Sequence, residues 1–228
     1  MENCIEKIEV APLAQDETRL IFVRHGQSLG NMNHLFLGHT DLDLSDLGYR
    51  QAELACRYIF DHYEVSHVYA SDLLRAYHTV EPLARRLGLP LEARQGLREI
   101  FAGDWEGMAF DDIDAQYHEG FEVWCHHIGS AVCTNGESVA ALKKRIITEA
   151  DCLAKLHMGK TICLGSHTTP IRMLGAYWKG LSLASAHELP FPTNASISVA
   201  IYQNGSFSRC ELYSFDEYMG EIKTKLNF

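Results

Sequence analysis

Residues 18–28 read TRLIFVRHGQS. Leu20 to Val23 is an unbroken apolar run of good β formers, and it breaks at once into the polar, glycine-bearing Arg24-His25-Gly26. A short apolar run that ends in such a loop is the pattern of a buried parallel strand. The pattern returns at VSHVYAS (65–71), which meets Asp72, and at KTICLGS (160–166), which meets His167. Three buried strands that all end in polar tails predict an α/β sheet with its chemistry at one rim.

The intervening segments read as helices. Ser45 is a good N-cap, and Ala52, Ala55, Cys56, Ile59 and Tyr63 share one face of a helix that runs to about 63. A second helix over about 72–87 ends at Gly88, with Pro90 beyond. LPLEAR (89–94) suits a short strand. A long helix over about 137–157 carries the stripe Val139, Leu142, Ile146, Ala150 and Leu153. Thr168 or Thr169 is expected to cap the next helix, with Pro170 in its first turn. SISVAIY (196–202) and FSRCELYSF (207–215), joined by Asn204-Gly205, predict a hairpin. Residues 1–17 read as an irregular lead-in. Residues 96–136, rich in glycine, acidic and aromatic residues, read as loops and short helices forming a lid. The expectation is one domain over 1–228: a mostly parallel open sheet with helices on both faces, C-terminal hairpin strands, and a lid over the strand C-terminal ends.

Composition narrows the partners. The chain has 228 residues, 46% hydrophobic and 22% charged, with a net charge of −10. An acidic surface repels polyanions, so nucleic acid and anionic membrane are poor partners. No apolar run approaches the roughly 20 residues of a membrane span. The N-terminus lacks a basic start and an apolar core, so the cytoplasm is the expected location. The seven cysteines include no C-x-x-C pair, which argues against a disulfide framework or a cysteine-rich zinc site.

If the three strands are neighbours, Arg24, His25, Arg75 and His167 converge at the rim. Four nitrogen-rich groups crowded together repel one another unless an anion sits among them. Helix N-termini after the strands would aim backbone N–H donors at the same point, and phosphate is the natural occupant. Singly, none of these residues says much. Arg24 and Arg75 alone read as surface ion-pair partners, a histidine after a strand reads as structural, and Glu99 alone is no signal. His126-His127 reads as exposed loop, lacking the spacing of a helical metal pair. His34, His39 and His78 are candidates for the pocket rim, and Trp105 and Trp124 for packing under the lid.

An ordered set of motifs then resembles one family, the histidine phosphatases of the phosphoglycerate mutase-like superfamily. RHGQS (24–28) with Asn31 is similar to its R-H-G-E/Q opening. GHTDLDLSDLGYRQA (38–52), SDLLRAYHT (71–79), LREIFAGDWEG (97–107), GES (136–138) with Arg145, and SHTTPIR (166–172) follow in the family's order. Two positions depart from the usual pattern. Gln27 stands where Glu is commoner, and Thr168-Thr169 stands where glycine is usual, which bears on access to the pocket.

The resemblance implies a metal-independent phosphatase that needs no cofactor. It would transfer the phosphoryl group of a small phosphorylated metabolite to His25. Arg24, Asn31, Arg75, His167 and Thr168 would bind the phosphate, with His167 protonated once phosphate is bound. Glu99 would protonate the leaving alkoxide and then activate water. A phosphoglycerate mutase-type transfer is the alternative, disfavoured by the short interval between Glu99 and His167. A catalytically weak binding or regulatory member is a third reading. A homodimer is compatible with all three.

Overall fold

A computed structural model describes residues 10–224. β1 (Glu17–Arg24) leads through one helical turn, α1 (Leu29–Met32), to α2 (Asp46–His62). β2 (Val65–Ala70), α3 (Leu74–Leu87) and the short β3 (Leu91–Ala93) follow. α4 (Phe110–His126) and α5 (Val139–Leu156) precede β4 (Thr161–Ser166) and α6 (Thr168–Trp178). The hairpin of β5 (Ile197–Gln203) and β6 (Ser206–Phe215) completes the sheet.

The strand order is β3-β2-β4-β1-β5-β6. The first four strands are parallel; β5 runs antiparallel to β1, and β6 antiparallel to β5. The three strands with polar tails are therefore adjacent, with β4 in the middle. Alternation along them builds both faces. Ile21, Val23, Val68, Ala70 and Cys163 pack with residues of α2 and α3. Leu20, Phe22, Tyr69, Ile162 and Leu164 pack with residues of α5 and α6 on the other face. A third cluster, around Phe36, Trp105, Trp124 and Ile113, sits under the 96–136 segment.

Several local expectations need correction. His167, not a threonine, is the N-cap of α6, and Thr168 and Thr169 lie inside its first turn. The 96–136 segment, expected as loops and short helices, holds α4 as two short helical stretches. Non-helical dihedrals at Tyr117 (φ −130°, ψ 36°) break α4 in two, which is why its periodicity is hard to read. The lead-in lies partly outside the described residues; from residue 10 to 16 it has no helix or strand, and Glu17 already belongs to β1. Cys4 also lies outside them, and the described cysteines are all free. No helix among the described residues is long and apolar enough to cross a membrane.

Gly165 sets how closely β4 and α3 approach. A Cβ there would lie 2.7 Å from the Ala76 carbonyl oxygen and 3.0 Å from Val80 Cγ2. Ala76 follows Arg75, so any relief moves that guanidinium. Gly165→Ala is expected to cost about 1–3 kcal/mol of stability through overpacking, and to weaken anion binding as well. Urea unfolding checks the first effect; an unchanged midpoint would mean that α3 yields freely.

Candidate active site

The site is built where β1, β4 and β2 end. Backbone bonds lock the three ends together: His25 N donates to the Ser166 carbonyl at 3.0 Å, and Ser71 N to the Gly165 carbonyl at 2.8 Å. Arg24 and His25 thus follow β1, His167 follows β4, and Arg75 stands on the first turn of α3. All four are between 0% and 5% exposed. The rings of His25 and His167 meet edge to face, 5.3 Å between centroids. Beside them lies a cavity of about 340 Å³, whose lining includes Arg24, His25, Asn31, Glu99, Thr168 and Asn194.

His25 has one ring nitrogen committed. Its Nδ1 lies 2.7 Å from the Gly26 carbonyl oxygen. A carbonyl only accepts, so Nδ1 carries the proton and Nε2 keeps its lone pair. Burial first, then Arg75 and Arg24, push the His25 pKa well below its ordinary value. The imidazole is therefore neutral at neutral pH and nucleophilic at Nε2. Burial, Arg75 and His25 act on His167 in the same direction. The cationic His167 expected from the sequence thus requires a bound anion to offset them.

The two guanidiniums are held by backbone. Arg24 Nη1 donates to the Pro192 carbonyl at 2.5 Å. Arg75 donates to the Thr40 and Gly38 carbonyls at 2.9 and 2.8 Å. Burial pushes Arg24 down to about 9 and Arg75 down to about 10, so both stay charged at neutral pH. Arg24 Nε, Arg75 Nε and both ring nitrogens of His167 are buried and find no hydrogen-bond partner among the described residues. Buried polar nitrogens are almost always paired. Four of them, grouped around one histidine, describe a receptor for an anion rich in acceptor oxygens.

Glu99 is the one carboxyl lining the cavity among the described residues. Its Oε1 accepts from Ile100 N at 2.8 Å and its Oε2 from Thr169 N at 3.2 Å. Burial raises its pKa and outweighs these donors and Arg75, which lower it. A buried carboxyl with a raised pKa holds its proton to a higher pH than an ordinary glutamate and can both give one up and take one back. Arg145 fixes its backbone, donating to the Glu99 carbonyl at 3.1 Å while paired with Glu137 at 2.8 Å.

Asn31 Oδ1 accepts from Ser28 N and from Asn194 Nδ2, both at 3.1 Å. With its oxygen committed, its amino group is what it has left to offer. Thr168 and Thr169 both line the cavity, and Thr169 also binds the Glu99 carboxyl. That bond comes from the backbone N–H, which a glycine would supply as well, so the two threonine side chains bear on access to the cavity. Of the three candidate rim histidines, His34 lines the cavity. His39 Nε2 instead contacts the Glu99 carbonyl at 3.1 Å, and His78 pairs with Asp43 at 2.8 Å. Trp105 is fully buried packing, whereas Trp124 both packs and lines the cavity. His126 and His127 are exposed. Asp114, His118 and Glu122 on α4 bring donor atoms within 4.8 Å of one another. His118 Nδ1 is already bonded to Asp114 at 2.7 Å, and none of the three lines the cavity.

Three supporting residues escaped the sequence reading. Asn194 donates to the His25 carbonyl at 3.2 Å and links it to Asn31; no local signal marks it. Glu106 accepts from Gly38 N, His39 N, Thr40 N, Thr40 Oγ1 and Ala102 N at 2.6–3.2 Å. It ties down the loop whose carbonyls hold Arg75, and its place in DWEG was the available signal. Arg172 donates to the Leu189 and His187 carbonyls at 2.8 and 3.0 Å and lies 3.9 Å over the Phe191 ring.

Comparison with known proteins places the chain in a family. A model of the histidine phosphatase superfamily (branch 1) matches residues 20–213. Phosphoserine phosphatase 1 of Hydrogenobacter thermophilus is 30% identical over 167 residues, 73% of this chain and 78% of that protein. Bacillus stearothermophilus YhfR shares the fold, with a TM-score of 0.84 at 23% identity over 89% of this chain and 99% of that one. A mycobacterial glucosyl-3-phosphoglycerate phosphatase in complex with VO3 has a TM-score of 0.78 at 28% identity, over 86% of this chain and 98% of that one.

Inorganic phosphate is expected to raise the thermal midpoint, adding about 2.7 kcal/mol at one hundred times its Kd. Glu106→Ala should shrink that shift by freeing the loop that carries Arg75. Thermal melts with and without phosphate check both; no shift in the parent chain would mean that the four unpaired nitrogens do not form an anion site.

Proposed function

We propose that this chain, which belongs to branch 1 of the histidine phosphatase superfamily, is a phosphomonoesterase that hydrolyses a small phosphorylated metabolite through a phosphohistidine on His25. The observation that carries this reading is the neutral, Nδ1-protonated imidazole beside two guanidiniums with unpaired nitrogens. Phosphoryl transfer asks a protein mainly for positioning and for charge on the equatorial oxygens, and fork-shaped donors match those oxygens.

His25 Nε2 attacks phosphorus. The N–P bond forms, the ester P–O bond breaks, and its electron pair leaves on the alcohol oxygen. Glu99 gives that oxygen a proton. A water molecule then enters; Glu99, now a carboxylate, takes its proton while the water oxygen bonds to phosphorus. The N–P bond breaks and its pair returns to Nε2. The sum is ester plus water giving alcohol plus phosphate. Arg24, Arg75, Asn31, His167 and the start of α6 at Thr168 hold the migrating oxygens, with His167 taking up a proton as the dianion arrives.

The pKa directions set the pH profile. The lowered His25 pKa keeps the nucleophile neutral into acidic solution, so that group gives no loss near pH 7. The raised Glu99 pKa keeps the acid protonated to a higher pH than an ordinary glutamate. Activity on alkyl phosphates is expected to fall as pH rises through the Glu99 pKa. The loss should be weaker for p-nitrophenyl phosphate, whose leaving group departs without a proton.

Turnover of p-nitrophenyl phosphate in EDTA is expected, inhibited by vanadate and abolished in His25→Ala; survival of activity in that variant would remove His25 as nucleophile. In single-turnover experiments Glu99→Gln should slow alcohol release from an alkyl phosphate by about 10²–10⁴-fold, and from p-nitrophenyl phosphate far less. Equal losses on the two would strip Glu99 of the acid role. Release of inorganic phosphate from 3-phosphoglycerate, rather than its isomerisation, separates hydrolysis from mutase chemistry.

A further inference from the structure

A line of polar side chains runs from α2 to the phosphoryl site. It starts at Gln51, which is buried on α2. Two backbone groups fix the orientation of its amide. Gln27 N donates to Gln51 Oε1 at 2.8 Å, and Gln51 Nε2 donates to the Ile222 carbonyl at 2.8 Å. An N–H only donates and a carbonyl only accepts, so the amide cannot be turned over. Gln51 Nε2 also donates to Thr224 Oγ1 at 3.3 Å. The hydroxyl has a single hydrogen, and it goes to Asn194 Oδ1 at 2.9 Å. Asn194 Nδ2 then donates to the His25 carbonyl at 3.2 Å and to Asn31 Oδ1 at 3.1 Å. Each group accepts from the one before and donates to the next.

The line closes on Asn31, where Ser28 N donates to the same oxygen at 3.1 Å. One such bond decides which end of the amide is the oxygen, and a second from another direction fixes its plane. Asn194 supplies the second. It is buried, and its own oxygen accepts from Thr224 alone among the described residues. Without that hydroxyl, Asn194 Oδ1 would be a buried acceptor with no partner, a costly state that favours turning the amide away.

We propose that Thr224 is a positioning residue of the phosphoryl site, acting through Asn194 to hold the Asn31 amino group toward the phosphate. This rests on the phosphomonoesterase reading, in which Asn31 binds a phosphate oxygen. Thr224 lies after the last of the family motifs, SHTTPIR (166–172), so tertiary placement and not local pattern brings it to the site. It lines the cavity as well, yet its hydroxyl hydrogen is committed to Asn194.

The test measures the Kd of inorganic phosphate by calorimetry, and kcat/KM for p-nitrophenyl phosphate, in five proteins. They are the parent, Thr224→Val, Thr224→Ser, Asn31→Ala, and Asn31→Ala combined with Thr224→Val. Valine keeps the shape and loses the hydroxyl; serine keeps the hydroxyl. Thr224→Val is expected to weaken phosphate about 3–10-fold and to lower kcat/KM alike, with Thr224→Ser staying within about twofold of the parent. In the Asn31→Ala background Thr224→Val should cost nothing further, because the group it positions is gone. A purely structural role would instead add its loss in both backgrounds. Parent-like binding in Thr224→Val, a serine variant as weak as the valine, or an undiminished second loss in Asn31→Ala overturns the proposal and leaves the phosphatase reading standing. A parent chain that neither binds phosphate nor turns over p-nitrophenyl phosphate overturns both.

Discussion

Two guanidiniums and two imidazoles are buried around a single carboxyl, and the rest of the structure answers to that arrangement. Moving a cation out of water is costly unless a partner meets it. Glu99 is the one carboxyl lining the cavity among the described residues, and backbone carbonyls satisfy part of Arg24 and Arg75. Arg24 Nε, Arg75 Nε and both ring nitrogens of His167 are buried without a hydrogen-bond partner among the described residues. Such a cluster is tolerated because the fold around it is rigid: three adjacent strands end at one level, tied by backbone hydrogen bonds. The arrangement resembles a lock with its charge already in position, which is what electrostatic preorganisation requires.

The rigidity is supplied by residues that never line the cavity. Glu106 gathers five donors, and burial would raise its pKa, yet those donors outweigh burial and keep it lowered. It therefore stays ionised and holds the 38–40 loop, whose carbonyls in turn aim Arg75. Arg172 does the same for the 187–191 loop, which runs on to Pro192, the acceptor for Arg24. Each arginine at the phosphoryl end is thus steered by a loop carbonyl, and for Arg75 a second charged group organises the loop. Loss of such a support acts at a distance by releasing backbone, a different effect from deleting a contact with the ligand.

Much of this was legible in the sequence, because it depends on local pattern. The polar tails after Val23, Ala70 and Gly165 announce a rim, and the helical stripes from Ala52 to Tyr63 and from Val139 to Leu153 are buried as their spacing implies. What was hidden depends on tertiary pairing. Asn194 reaches His25 because β5 runs antiparallel beside β1, a neighbour relation that no periodicity encodes. The expectation of short helices over 96–136 fits α4, which Tyr117 divides so that no single stripe runs its length. His167 was expected to follow the strand and did, but its role as N-cap of α6 depends on its extended backbone (φ −129°, ψ 177°), which a histidine does not advertise.

The burial of the site and its charges act together. Excluding water strengthens every charge interaction inside the cavity. The same desolvation acts oppositely on groups of opposite charge type, lowering an imidazole and raising a carboxyl. His25 and Glu99 both move in the direction that burial dictates. Neighbouring cations reinforce the shift on His25 and oppose it on Glu99, where burial still prevails. A neutral nucleophile and a protonated acid are the two states that attack and leaving-group departure need together. They do not require separate tuning. Burial sets both, so a substitution that opened the site to water would disturb nucleophile and acid at once, even though it touches neither.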